Sequence, residues 1–234
     1  MGVILEALRN AFGLIVTLDP DMLAIVWLSL QVSLSAVALG TLLGLPLGAA
    51  IAVGRFPGRR ASIVVLNALM GLPPVVVGLI VYLLLSRAGP LGELGLLFTP
   101  TAMVIAQTIL ILPIIAALGR QAVEDAWREY REQLRSLGVS RLAAALTLIW
   151  DIRFSLLTAV LAGLGRACAE VGAVMIVGGN IAGVTRVMTT TIALETSKGD
   201  LPLALSLGIV LVTIVLILNA GAYSVKEVAQ RRYG

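Results

Sequence analysis

Five stretches of this sequence are apolar over a length that can cross a bilayer, and that restricts the fold more than any other feature. They run from Met22 to Val53, Ala61 to Leu85, Phe98 to Leu118, Phe154 to Val177 and Leu201 to Tyr223. A hydrocarbon core of about 30 Å takes roughly 20 helical residues. Inside it every backbone N–H and C=O must find a partner, which leaves helices and closed barrels. Barrel strands are about ten residues long and alternate in polarity, and these runs do neither. The chain is read as an all-α membrane protein with about five transmembrane helices. A mean hydropathy of +1.03 and a charged fraction of 13% agree with this, since soluble domains carry about 25% charge.

The arginines orient the bundle. The loop from Gly54 to Arg60 holds three basic residues and no acid, the stretch from Arg120 to Arg153 holds six, and Lys226, Arg231 and Arg232 follow Tyr223. In a five-span arrangement these regions share one side, which then carries twelve of the seventeen basic residues. The other side has Arg9, Arg87, Arg186 and Lys198. Basic loops stay cytoplasmic, so the N-terminus is expected outside and the C-terminus in the cytoplasm. Residues 1–21 lack the basic leader of a signal peptide and read as an interfacial helix. Residues 224–234 read as a cytoplasmic tail. Topology accounts for the pI near 9.7, and no basic–aromatic surface marks a nucleic-acid binder.

Several chemistries are missing. The chain has no histidine and a single cysteine, Cys168, so an intramolecular disulfide is excluded and the commonest general base and metal ligand are absent. No metal cluster or cofactor is expected on this chain. No phosphate-binding loop of the G-x-x-x-x-G-K-[ST] kind is present, so any ATP hydrolysis must occur on another polypeptide.

Within the runs, three features stand out. Gly40, Gly44 and Gly48 recur every four residues, a small face that lets another helix approach, either in this chain or in a second copy. Pro73 and Pro74 remove two amide donors in mid-span and predict a bent or broken helix, the form that transporters use at cavities. Arg166 and Glu170 are four residues apart, which on one helix face makes an intramembrane charge pair, neutralising each other or lining a polar path. Beyond them, Gly178-Gly179-Asn180 ends the span with exposed backbone, and Thr185 to Asp200 forms a threonine-rich segment whose hydroxyls either suit an oxyanion or simply cap the outer face.

The stretch from Arg120 to Arg153 carries eleven of the thirty charged residues, with signs alternating. Trp127, Tyr130, Leu134 and Leu137 form an apolar stripe beside Arg128, Glu129, Arg131, Glu132 and Arg135. The segment reads as an amphipathic helix offered to a soluble partner.

These residues also resemble a known family. Glu132, with Gly138 six positions on and Leu148 ten beyond that, is similar to the EAA loop of ABC-importer permeases, although Gln133 and Leu134 stand where that motif has alanines and Asp151 stands where it has proline. The run GLPPVVVG at Gly71 to Gly78 resembles the second-span motif of molybdate, sulfate and tungstate permeases. EVGAVMIVGGNI from Glu170 and TRVMTTTIALETSKGD from Thr185 resemble tungstate permeases most closely. The resemblance implies a type I ABC-importer permease, with a transmembrane permease domain over residues 22–223 and a cytoplasmic coupling helix within 120–153. It implies ATP-driven uptake of a tetrahedral oxyanion by alternating access, tungstate first, with molybdate or sulfate as the alternative. Expected partners are a second copy of this chain, two cytoplasmic ABC ATPase subunits that hold ATP and Mg, an external substrate-binding protein and membrane lipid, in a prokaryotic inner membrane. For coupling, the expected residues are Arg128, Arg131, Glu132, Leu134, Leu137 and Gly138. For the path and outer gate they are Pro73, Pro74, Gly178, Asn180, Thr189 and Thr190.

An ion-coupled secondary carrier is the competing class. It requires titratable residues in the spans and usually an inverted repeat; Arg166 and Glu170 meet the first demand, and no repeat is visible.

Overall fold

In the computed structural model the described residues are Arg9, Gly13 and 20–233, and the interfacial helix expected over 1–21 falls almost wholly outside them. No strand occurs among the described residues. The helices are α1 (Pro20–Val53), α2 (Arg59–Leu69), α3 (Pro74–Leu85), α4 (Pro100–Ser136), α5 (Arg141–Asp151), α6 (Arg153–Cys168), α7 (Gly172–Gly178), α8 (Met188–Lys198) and α9 (Leu201–Tyr233), with a 3₁₀ turn at Gly92–Leu94. Three helices, α1, α4 and α9, are long and apolar enough to span alone. The pairs α2–α3 and α5–α6 reach that standard only as broken spans, giving up to five.

One expectation is corrected by these boundaries. The fourth run is not one helix: α6 stops at Cys168 and α7 starts at Gly172. The charged stretch from 120 to 153 is shared, because α4 continues without a break from Pro100 through Ser136 and α5 follows separately. The tail is likewise helical, since α9 runs to Tyr233.

The chain divides into two compact units, counted over the described residues. One takes Met1–Ser35, Pro73–Gln107 and Ala167–Ser224; the other takes Ala36–Leu72, Thr108–Arg166 and Val225–Gly234.

In the second unit the glycine stripe of α1 lies on α4. A Cβ at Gly40 would stand 3.0 Å from Ile111 Cγ1, one at Gly44 would stand 3.2 Å from the Leu112 carbonyl, and one at Gly48 would run into the Ala116 carbonyl. The small face therefore serves packing within the chain, where dispersion across close backbones replaces a hydrophobic driving force that lipid does not supply. Beyond it, Ala49, Ala52 and Val53 of α1 join Val123 and Ala126 of α4, Ala145 and Leu148 of α5 and Leu156 of α6 in one core. Ser140 caps α5, its Oγ accepting the Ala143 N–H at 3.3 Å. The 78° bend between α5 and α6 is held by Arg153, which donates to the Trp150 carbonyl at 2.8 Å and lies over the rings of Trp150 and Phe154, a cation–π contact on each side.

In the first unit α3 and α7 meet backbone to backbone, a Cβ at Gly78 coming within 2.8 Å of Ala173 Cα. The Met188 N–H donates to Ser29 Oγ at 2.8 Å, and Met188 packs with Val210 against Ile25, Val26 and Ile214. This ties the start of α8 to α1 and α9.

Candidate functional site

The charged half of α4 is organised by one carboxylate. Glu124 accepts from Arg120, from Arg128 at 3.3 Å and from Arg59 at 3.4 Å. Arg59 also donates to the carbonyls of Ile51 at 2.8 Å and Ala52 at 3.1 Å. Those carbonyls belong to the last turn of α1, which its own helix leaves unpaired. One planar guanidinium thus closes α1, opens α2 and holds α4. The Arg120–Glu124–Arg128 spacing is readable as i, i+4 pairing; the part of Arg59 is not, because it depends on a turn of five intervening residues.

The apolar stripe expected to face a partner is divided. Trp127, Tyr130 and Leu134, partly buried, pack on the unit's own core. Leu137, 76% exposed, is open. Leu142, Leu146 and Trp150 on α5 are exposed too, at 74%, 60% and 72%. They recur every four residues, so they line one side of α5 while Ala144, Ala145 and Leu148 fill the other. That helical period was available in the sequence but is masked when the segment is read as a loop. Arg128, Arg131 and Glu132 are all exposed on α4, and Arg128 also lies 3.9 Å from Asp125. Gly138 makes the turn between α4 and α5 at φ +67°, with its N–H on the Arg135 carbonyl and the Val139 N–H on that of Leu134. This is a left-handed helix ending, which a residue with a Cβ resists.

Pro73 and Pro74 stand where the second run breaks. Pro73 precedes α3 in extended conformation and Pro74 occupies its first turn, where a missing N–H costs nothing. The break expected there is found.

Glu170 lies beyond the last turn of α6, so it does not share one helix face with Arg166. Its Oε1 accepts the Ala173 N–H at 3.0 Å, satisfying a donor at the start of α7, while its carbonyl accepts from Thr189 Oγ1 at 2.8 Å. Arg166 is half-buried near the end of α6.

A polar cavity of the first unit collects Ser29, Ser33, Gln107, Glu170 and Thr189. Its free interior takes roughly one water, which is too little for a tetrahedral oxyanion. Most of its side-chain donors are also already engaged. Ser29 donates to the Ile25 carbonyl, Thr189 to Glu170 and the Gln107 amide nitrogen to the Ala167 carbonyl. The Gln107 carbonyl oxygen is buried without a hydrogen-bond partner. The remaining threonines are also committed: Thr190, fully buried, exchanges bonds with the Val187 N–H and carbonyl, and Thr191 donates to that same carbonyl.

The segment after α7 is a knotted turn. Gly178 is buried, and its carbonyl accepts from Thr185 Oγ1, which in turn accepts from the Ile181 N–H at 3.0 Å. The Ile181 carbonyl takes the amides of Val184, Thr185 and Arg186. Asn180 sits at φ 49°, and its carbonyl receives Arg186 Nη2 at 3.4 Å.

Comparison with known proteins places this architecture. Residues 40–234 match the family described as binding-protein-dependent transport system inner membrane component. The chain belongs to that family. It is 42% identical to the tungstate uptake system permease protein TupB of Peptoclostridium acidaminophilum, over 97% of this chain and 100% of that one. It is 42% identical to a probable anion ABC transporter permease protein of Haloferax volcanii, over 85% and 88% of the two chains. A TupB of Campylobacter jejuni is 41% identical over 74% of this chain and 72% of its own. The chain is a multi-pass membrane permease of the binding-protein-dependent class, and the resemblance drawn from its motifs holds.

Proposed function

We propose that this chain is the permease subunit of an ATP-driven tungstate importer. The observation that carries this is the 42% identity to a tungstate uptake permease across essentially the whole of both chains. Two copies form the transmembrane pathway, two cytoplasmic ABC ATPases hold ATP and Mg, and an external binding protein delivers the anion. The chain itself performs no hydrolysis.

The open apolar residues Leu137, Leu142, Leu146 and Trp150, flanked by Arg128, Arg131 and Glu132, support a docking surface for the ATPase at the α4–α5 turn. Closure of the ATPases moves that turn, and α4 carries the motion into the membrane. The cavity at Ser29, Gln107 and Thr189, with room for roughly one water, supports a conformation that is shut to the anion at that depth. Pro73, Pro74, Gly178 and Asn180 border the broken segments that rearrange, with Thr189 and Thr190 at the start of α8.

The test is ATP hydrolysis in liposomes holding this chain and its candidate ATPase, with binding protein outside. Stimulation by tungstate-loaded but not empty binding protein is expected. No stimulation, combined with uptake that survives ATP removal and collapses with the ion gradient, would replace the importer by a secondary carrier.

A further inference from the structure

Arg186 is a half-buried cation with few partners. Among the described residues its side chain makes one hydrogen bond, the long contact from Nη2 to the Asn180 carbonyl. Its Nε is buried without a partner, and among the described residues no carboxylate forms an ion pair with it. A guanidinium has five N–H donors, and a buried donor left unpaired costs free energy that native structures ordinarily avoid. The side chain is nevertheless held in place, because the turn that presents it is fixed through the fully buried Thr185 and the triply bonded Ile181 carbonyl.

Arg186 borders a depression of about 300 Å³, at the lower edge of the range for small-ligand sites. Asp21 and apolar residues of α1 form one wall, and the Ala182–Val184 turn forms the other. Asp21 is exposed and opens the first turn of α1, where a carboxylate is favoured by the helix dipole. The depression therefore contrasts with the polar cavity at Gln107 and Thr189. That one has most of its donors engaged and no room; this one has room and presents a guanidinium with donors to spare.

We propose that Arg186 and this depression form a reception site for a tetrahedral oxyanion on its way from the binding protein into the membrane. The inference rests on the importer reading. A recess with one rigid cation suits transient capture, since a single charge-assisted contact holds an ion without trapping it. The recessed, partly buried position of the guanidinium favours a small ion over an acidic side chain of the docked binding protein.

The experiment uses the complete transporter in liposomes and reads tungstate imported per ATP hydrolysed. Arg186→Gln is expected to lower that ratio roughly tenfold, the weight of one charge-assisted hydrogen bond. Arg186→Lys, which keeps the charge and loses the planar fork, is expected between the two. Adding Asp21→Asn to Arg186→Gln should recover part of the ratio by removing the opposing charge. A ratio within twofold of the parent for both Arg186 variants would overturn the proposal. So would equal losses of uptake and hydrolysis, with more binding protein needed for saturation, because that pattern assigns Arg186 to docking. If Arg186→Gln fails to assemble, an unchanged ratio in Arg186→Lys decides against the proposal. A parent transporter that answers to no loaded binding protein removes the importer reading and this inference together.

Discussion

At the scale of single residues, the weight of the charged end of α4 falls on Arg59. It neutralises Glu124 and terminates α1 at once, so removing it leaves two carbonyls and a partly buried carboxylate short of donors. Each lost bond to a charged donor is worth about 1.5–3 kcal/mol where solvent is excluded, and partial exposure reduces this toward the lower figure. Arg59→Gln is expected to cost about 1–3 kcal/mol in all, read as a fall in the thermal midpoint of the detergent-solubilised protein by tryptophan fluorescence. Arg59→Lys should recover little, because an ammonium cannot reach two carbonyls and a carboxylate in one plane. A midpoint unchanged in Arg59→Gln would show that the three contacts do not add to stability.

At the scale of elements, the turn between α4 and α5 is the place to test coupling. Gly138 has nothing near its missing Cβ, so a substitution meets no clash and acts only through the left-handed backbone, at a cost of about 1–2 kcal/mol. Gly138→Val should insert normally, yet separate ATP hydrolysis from transport, with hydrolysis retained and uptake down at least about fivefold. Normal uptake would remove the turn from the coupling path. These elements also show what the sequence made legible. Run length alone located α1, α4 and α9, and Pro73-Pro74 marked the break before α3. The gap between α6 and α7 was hidden because Ala169-Glu170-Val171 holds no proline or glycine to mark it, and Glu170 reads as the partner of Arg166 on one helix face. The helix pauses there while Glu170 turns to cap α7, which is a tertiary choice. Charge density marked 120–153 as one amphipathic segment, but its first part is built of arginines and glutamates, good helix formers, that simply prolong α4 to Ser136. The gate was the least legible part. Thr189, Thr190 and Thr191 advertise hydroxyls, whereas the folded chain spends all three on nearby carbonyls.

At the scale of the whole molecule, the arginine distribution makes a claim about sidedness. Cys168 is buried, so cysteines placed on the loops can be labelled over a low background. Lys198→Cys should react with a membrane-impermeant maleimide in intact cells, and Arg60→Cys only after permeabilisation. The reverse pattern would invert the topology. Membership in a binding-protein-dependent family makes this assignment consequential, since Arg186 serves an incoming anion only from the side where the binding protein docks.

The unbroken α4 has one more implication. At 37 residues it is about 55 Å long, well beyond the roughly 30 Å of hydrocarbon, and no joint separates its apolar half from its charged half. A flexible connector would absorb the loss of one residue. This helix would convert such a loss into a rotation of about 100°, swinging the Gly138 turn away from whatever meets it and, for a loss before Glu124, Glu124 away from Arg59. Single-residue deletions between Arg120 and Ser136 should accordingly be far less tolerated than substitutions at the same exposed positions, as in a crankshaft whose two ends must keep their phase.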